Sequence, residues 1–235
     1  MPYLSRRQIE REATDLLASY FKQNHWPFAP IPIDEIAELH LGLSIDFLDL
    51  RQMFGVGDVH GALWLHDRLI GVDRRFDPVQ HSRAAGRYCF TVAHEVGHWQ
   101  LHRHCLLDRD LAVNTPDSHT YEVPQACRFS DGRARIEWQA DYFAACLLMP
   151  RMLVLAAWRE WRGNTRPITS QEMISRPLWE VAQLLLRNGA WPRRSEAATQ
   201  WVLERMIRPL AGRLGVSAPA LRIRLTDLGL LPITE

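Results

Sequence analysis

Residues 90–102 read FTVAHEVGHWQLH, and the core HEVGH constrains the fold more than any other stretch of the chain. Its histidines, His94 and His98, stand four positions apart. On a helix they lie one turn apart on one face, so both imidazoles can lean over the same point and chelate one metal ion. Glu95 falls about 100° further round, beside a water on the metal rather than on the metal itself. A chain with 10 histidines in 235 residues produces H-E-x-x-H by chance with a probability of roughly 2%. The motif alone therefore decides nothing. A catalytic zinc needs a third protein ligand and an open fourth position, so the question becomes where that ligand comes from.

Two residues compete for the role. HEVGHWQLHRH nearly matches the pattern HExxHxxGxxH, which would make His104 the ligand, but that pattern needs glycine where this chain has Leu101. A continuous helix would carry His104 about 15 Å along the axis from His94, out of coordination reach. The second candidate is Glu137, in IEWQADYFAACLLMP (136–150). It stands near the start of a helix expected over about 133–148. Ala140, Phe143, Ala144 and Leu147 give that helix an apolar stripe, fit to pack on a histidine-bearing helix expected over about 82–102. Asp141, one turn beyond Glu137, is placed to accept the outer N–H of a ligating histidine and so fix its tautomer. Gly97 and Ala140 are small, which lets the two helices come close. The expected centre is one Zn2+ on His94, His98 and Glu137, with Glu95 as general base and Asp141 as outer partner. Tyr121, His119 and His102 are candidate oxyanion donors by residue type alone.

FTVAHEVGH (90–98) taken together with EWQADYFAACLLMP (137–150) resembles the ImmA/IrrE family of HExxH metallopeptidases, which includes bacterial and phage regulatory proteases. HGALWLHDRLIGVDRRF (60–76) is similar to the strand pair before that family's active-site helix, and GVSAPALRIRLTDLG (215–229) to its helical end. The resemblance covers most of residues 5–160 and, more loosely, the tail. It implies a zincin-like core in which His94, His98 and Glu137 bind zinc and Glu95 is catalytic. It also implies a protein substrate, a DNA-binding repressor among the candidates. The stretch between His98 and Glu137 is longer than the family pattern.

The rest of the chain fits an α+β, mostly helical protein with a small antiparallel sheet packed on helices. A helix is expected over 5–24, a short one from a cap at Asp34 to Leu41, and strands over 43–50 and 60–76, with a hairpin turn at His66-Asp67. Residues 105–132 hold Asn114, Pro116, Pro124 and Gly132 and read as a long loop. RGNTRPITS (162–170) reads as a linker between a metallopeptidase domain, 1–161, and a helical region, 162–235. An apolar stretch lies at 152–161, and helices are expected near 176–188 and 195–213. The last segment then turns at Gly215-Val216-Ser217 into a helix that Ser217 caps and that could turn Arg222 and Arg224 outward, in the manner of a helix-turn-helix.

Net charge is +1, so no global field favours nucleic acid or an anionic membrane, and base-reading side chains are few in the tail. The start, MPYLSRRQIEREATDLL, has no apolar core of a secretory signal, and no apolar run is long enough to span a bilayer, so a cytoplasmic protein is expected. Cys89, Cys105, Cys127 and Cys146 then read as reduced thiols. Two rival functions use the same fold without cleavage as the primary act. One is a transcriptional regulator that binds DNA through its tail, and the other a toxin–antitoxin or mobile-element partner.

Overall fold

The computed structural model describes residues 3–22, 29–55, 59–81, 84–113, 131–169, 172 and 196–232. They fall into two compact units, Met1–Pro150 and Arg151–Glu235.

The first unit opens with helix α1, Arg6–Phe21. Ser5 and Gln8 close a reciprocal capping box: Ser5 Oγ accepts from the Gln8 N–H, and Gln8 Oε1 accepts from the Ser5 N–H at 2.9 Å. Such a cap is worth about 1 kcal/mol. Ile9, Ala13, Leu16, Leu17 and Phe21 are buried along one stripe, against the later helices of the unit. The next turn, α2 (Ile33–Glu35), runs on as a wider π-type turn over Ile36–His40. Here Asp34 is not the cap the sequence suggested. Pro32 takes the N-cap position, and Asp34, inside the helix, accepts a hydrogen bond from the Tyr88 hydroxyl at 2.8 Å. A carboxylate that finds a long-range donor is lost to local capping.

Strands β1 (Ser44–Leu48), β2 (Gly61–Trp64) and β3 (Leu69–Asp73) form one sheet in the order β1-β3-β2. β2 and β3 are the antiparallel hairpin, turning through His66 and Asp67, but β1 runs parallel to β3. The sheet is therefore mixed and not wholly antiparallel. The cause is the connection: helix α3 (Leu50–Phe54) and all of β2 lie between β1 and β3, enough chain to return in the same direction. Arg68 in the turn donates to the carbonyls of Leu41 and Gly42, and its guanidinium lies 5.1 Å from the Trp99 ring centre, which ties the hairpin to the helix below.

That helix, α4, spans Ala85–Val113, and its partner α5 spans Asp131–Leu148. α4 is longer than the sequence reading allowed. Of the loop expected over 105–132, residues 105–113 are helical, 131 and 132 open α5, and 114–130 lie outside the described residues. QLHRHCLLDRDLAV contains no glycine or proline before Asn114 and is rich in good helix formers, so nothing stops the helix at 102. Ala140, Phe143, Ala144 and Leu147 are fully buried on the inner side of α5.

The two helices touch at Gly97. A Cβ built there would lie 3.1 Å from the Ala140 Cα and carbonyl oxygen and 3.3 Å from Phe143 Cδ1. Glycine normally costs a helix interior about 1 kcal/mol relative to alanine. Here it allows backbone contact instead. Gly97→Val is expected to cost about 1–3 kcal/mol through overpacking and to lower the unfolding midpoint of metal-free protein by roughly 3–10 °C. An unchanged midpoint in a thermal melt would refute the close approach.

The second unit contains helices α6 (Arg151–Arg162), α7 (Glu196–Leu214) and α8 (Ala218–Asp227). It begins one helix earlier than the boundary drawn at 161, because Pro150 ends α5 and the buried Val154, Ala157 and Trp158 of α6 belong with α7. The helix expected near 176–188 lies outside the described residues. Gly215 turns the chain at φ 70°, and Ser217 caps α8 by accepting from the Ala220 N–H. The expected outward arginines turn inward. Arg222 Nε donates to Glu204 Oε1 on α7 at 2.9 Å, and Arg224 is buried with Asp227 at 3.5 Å. Arg222 thus pairs across to α7, while Arg224 pairs with a carboxylate on its own helix.

Candidate metal centre

His94 and His98 stand one turn apart on α4, and Glu137 reaches them from the early turns of α5. The two Nε2 atoms lie 3.0 Å apart. Glu137 Oε2 is 3.1 Å from His94 Nε2 and 3.5 Å from His98 Nε2. Zinc bonds to imidazole nitrogen and carboxylate oxygen are about 2.0–2.2 Å long, which at tetrahedral angles sets neighbouring donors about 3.3–3.6 Å apart. The three donors therefore stand at nearly the spacing that one small tetrahedral ion demands. Two imidazoles and one carboxylate are also a donor set of catalytic zinc sites, with one position left over. Among the described residues this is the one such group. His98 is fully buried, and His94 is nearly so.

Each imidazole is held from behind. His94 Nδ1 lies 2.8 Å from Asp141 Oδ1, so the proton sits on Nδ1 and the Nε2 lone pair faces the gap. His98 Nδ1 lies 3.1 Å from Nδ1 of His102, whose Nε2 is 2.9 Å from Gln139 Oε1. Burial pushes the His102 pKa down to about 4, so this ring is neutral at physiological pH. Both its nitrogens are committed, one to His98 and one to Gln139. It is neither a solvated helix-end histidine nor a free oxyanion donor. His119 and Tyr121, the other two candidates, lie outside the described residues. His104 is exposed on an α4 that runs unbroken through Leu101.

Glu95 is buried beside the donors, and its Oε2 makes no hydrogen bond with any described residue. Burial raises its pKa, opposed by His94 and His98 and reinforced by the charges of Glu137 and Asp141. An unengaged carboxyl with heightened proton affinity is the chemical profile of a general base. Strand β2 passes directly over it. A Cβ at Gly61 would fall 2.6 Å from Glu95 Oε1 and 2.6 Å from Thr91 Cγ2, so only glycine fits there without moving the carboxylate. Sequence reasoning missed Gly61, Gln139 and the role of His102. Glycine in a short strand was a signal of close approach, but it did not say to what.

Among the described residues, Cys89, Cys105 and Cys146 form no disulfide. No single helix among the described residues is long and apolar enough to cross a membrane. Residues 78–169, which hold both α4 and α5, match the family model of the IrrE N-terminal-like domain, a peptidase family. No curated protein matches the chain.

Proposed function

We propose that this chain, a member of the IrrE N-terminal-like peptidase family through residues 78–169, is a zinc-dependent endopeptidase that hydrolyses a bond in a protein substrate. The observation that carries the reading is the 3.0–3.5 Å spacing of the His94, His98 and Glu137 donors beside a buried, unengaged Glu95. The three donors would hold the ion, and the ion supplies Lewis acidity toward a water and a peptide carbonyl. The rest falls to side chains of the chain. Glu95 takes the proton of the attacking water and returns it to the leaving amine, a transfer that its raised proton affinity favours. Asp141 and His102 keep the ligating rings oriented throughout, and Gly61 leaves Glu95 the room it occupies. The packing of the histidine helix against a small sheet supports the same reading. The resemblance to regulatory proteases supports a protein substrate, with a DNA-binding repressor the first to try.

Protein supplied with zinc and passed through a desalting column should hold about one equivalent of zinc per chain. Incubated with a proteome-derived peptide library, it should generate new amino termini detectable by mass spectrometry, and chelator-stripped protein should generate none until zinc is restored. A chain that retains no metal, or whose loaded and stripped forms give identical peptides, would overturn the proposal. The DNA-binding reading has less support, since Arg222 is paired with Glu204 of α7 and Arg224 is buried. A structural zinc would also have no use for the buried carboxyl of Glu95.

A further inference from the structure

We propose that His102 and Gln139 are positioning residues that fix the tautomer of His98 and thereby tune the affinity and geometry of the metal centre; the inference rests on the reading of that centre given above. The chain of contacts runs from the centre outward: His98 Nδ1 to His102 Nδ1 at 3.1 Å, then His102 Nε2 to Gln139 Oε1 at 2.9 Å. His98, His102 and Gln139 are all buried, so each polar atom must find its partner within this chain.

Proton counting leaves two arrangements. An amide oxygen can only accept, so with Gln139 Oε1 facing inward the proton of His102 lies on Nε2. His102 Nδ1 then accepts, His98 must donate from Nδ1, and the His98 Nε2 lone pair is directed at the gap shared with His94 and Glu137. In the reverse arrangement the Gln139 amide nitrogen donates, every proton shifts one place, and His98 carries its proton on Nε2. That form cannot ligate. The orientation of one buried amide on α5 therefore decides whether a histidine on α4 is a ligand. His94 has no such dependence, because the Asp141 carboxylate can only accept. The same two helices thus supply all three ligands and every orienting group, with Asp141 and Gln139 two residues apart on α5.

His102→Phe keeps a ring in the cavity and removes the acceptor, leaving the His98 Nδ1–H buried without a partner. Its zinc affinity, measured by competition with a chromophoric chelator, should fall roughly 10–100-fold. His102→Asn puts a side-chain oxygen near the former Nδ1 and should come back to within about threefold of wild type. Cobalt-substituted protein gives the second readout: visible d–d bands altered in His102→Phe and restored in His102→Asn. Equal affinities for wild type and His102→Phe would overturn the proposal, as would an Asn variant as weak as Phe. Should His102→Phe not fold, Gln139→Met asks the same question with His102 in place and should weaken zinc in the same direction; unchanged affinity there overturns the proposal. Wild-type protein that binds no metal would instead remove the centre itself. The two failures are therefore told apart by the wild-type measurement.

Discussion

Glu137→Ala should reduce the zinc content of the purified chain from about one equivalent to less than about a tenth. Among the described side chains the carboxylate is the one donor that α5 contributes to the candidate centre, and its Oε2 closes the triangle at 3.1 and 3.5 Å from the two imidazoles. Without it the ion would be left with two histidines of one helix and solvent. Losing an outer hydrogen-bond partner already costs roughly 10–100-fold in metal affinity, so losing a ligand must cost more. The helix itself should survive: alanine is the best helix former, and Glu137 is partly exposed, not part of the apolar core. A far-ultraviolet dichroism spectrum identical to wild type, together with elemental analysis after desalting, makes the comparison clean. A folded Glu137→Ala chain that keeps its zinc would break the ligand assignment, and His104 could not replace it, being exposed further along α4.

Glu95→Gln should do the reverse, keeping the metal and losing the chemistry by roughly 10²–10⁴-fold in kcat. Glutamine matches the size of the buried carboxyl and fits beneath Gly61, but it cannot take a proton from water. The substitution also has a stability signature. Glu95 is a carboxyl whose folded pKa is raised by burial, so the folded state holds its proton more tightly than the unfolded state does. The stabilisation this gives is fully present below the unfolded pKa and is lost as the pH rises through the folded one. Metal-free Glu95→Gln should therefore gain stability over wild type as the pH rises from 4 to 8, with the gap closing at the acid end. Thermal melts across that range check the sign. A variant that hydrolyses peptides as fast as wild type would remove Glu95 from the mechanism. A wild type that outlasts the variant at pH 8 would mean the carboxyl is not held at a cost.

How much of this was legible beforehand follows from which interactions are local. α1 has its apolar residues at helical spacing and its cap three residues from its partner, and so it reads directly from the chain. The β2–β3 hairpin is equally local, and its turn falls where His66-Asp67 placed it. The parallel pairing of β1 is not local, since nothing in Ser44–Leu48 says which edge it will meet. The inward turn of Arg222 was hidden for the same reason, since its partner Glu204 stands on α7, and the burial of Arg224 likewise follows from packing and not from its local pair with Asp227. At the candidate site, the spacing within HEVGH and within EWQAD put His94, His98, Glu137 and Asp141 on paper, because helical periodicity converts spacing into facing. The contact from His102 to Gln139 crosses between helices, and the approach of Gly61 to Glu95 crosses between sheet and helix. No periodicity reports either.

The two histidines and the carboxylate come from helices whose contributing residues, His94 and Glu137, are 43 positions apart in the chain. An ion gripped by both works as a staple across that span, and only the folded chain can be stapled this way. Its grip adds to folding free energy in proportion to the logarithm of free metal, about 2.7 kcal/mol when metal stands a hundredfold above the dissociation constant. If the ion is the zinc proposed above, the survival time of the molecule would be set by the same ion that arms it. Copies without it would open more often and be cleared sooner, so the population that persists would be the armed one.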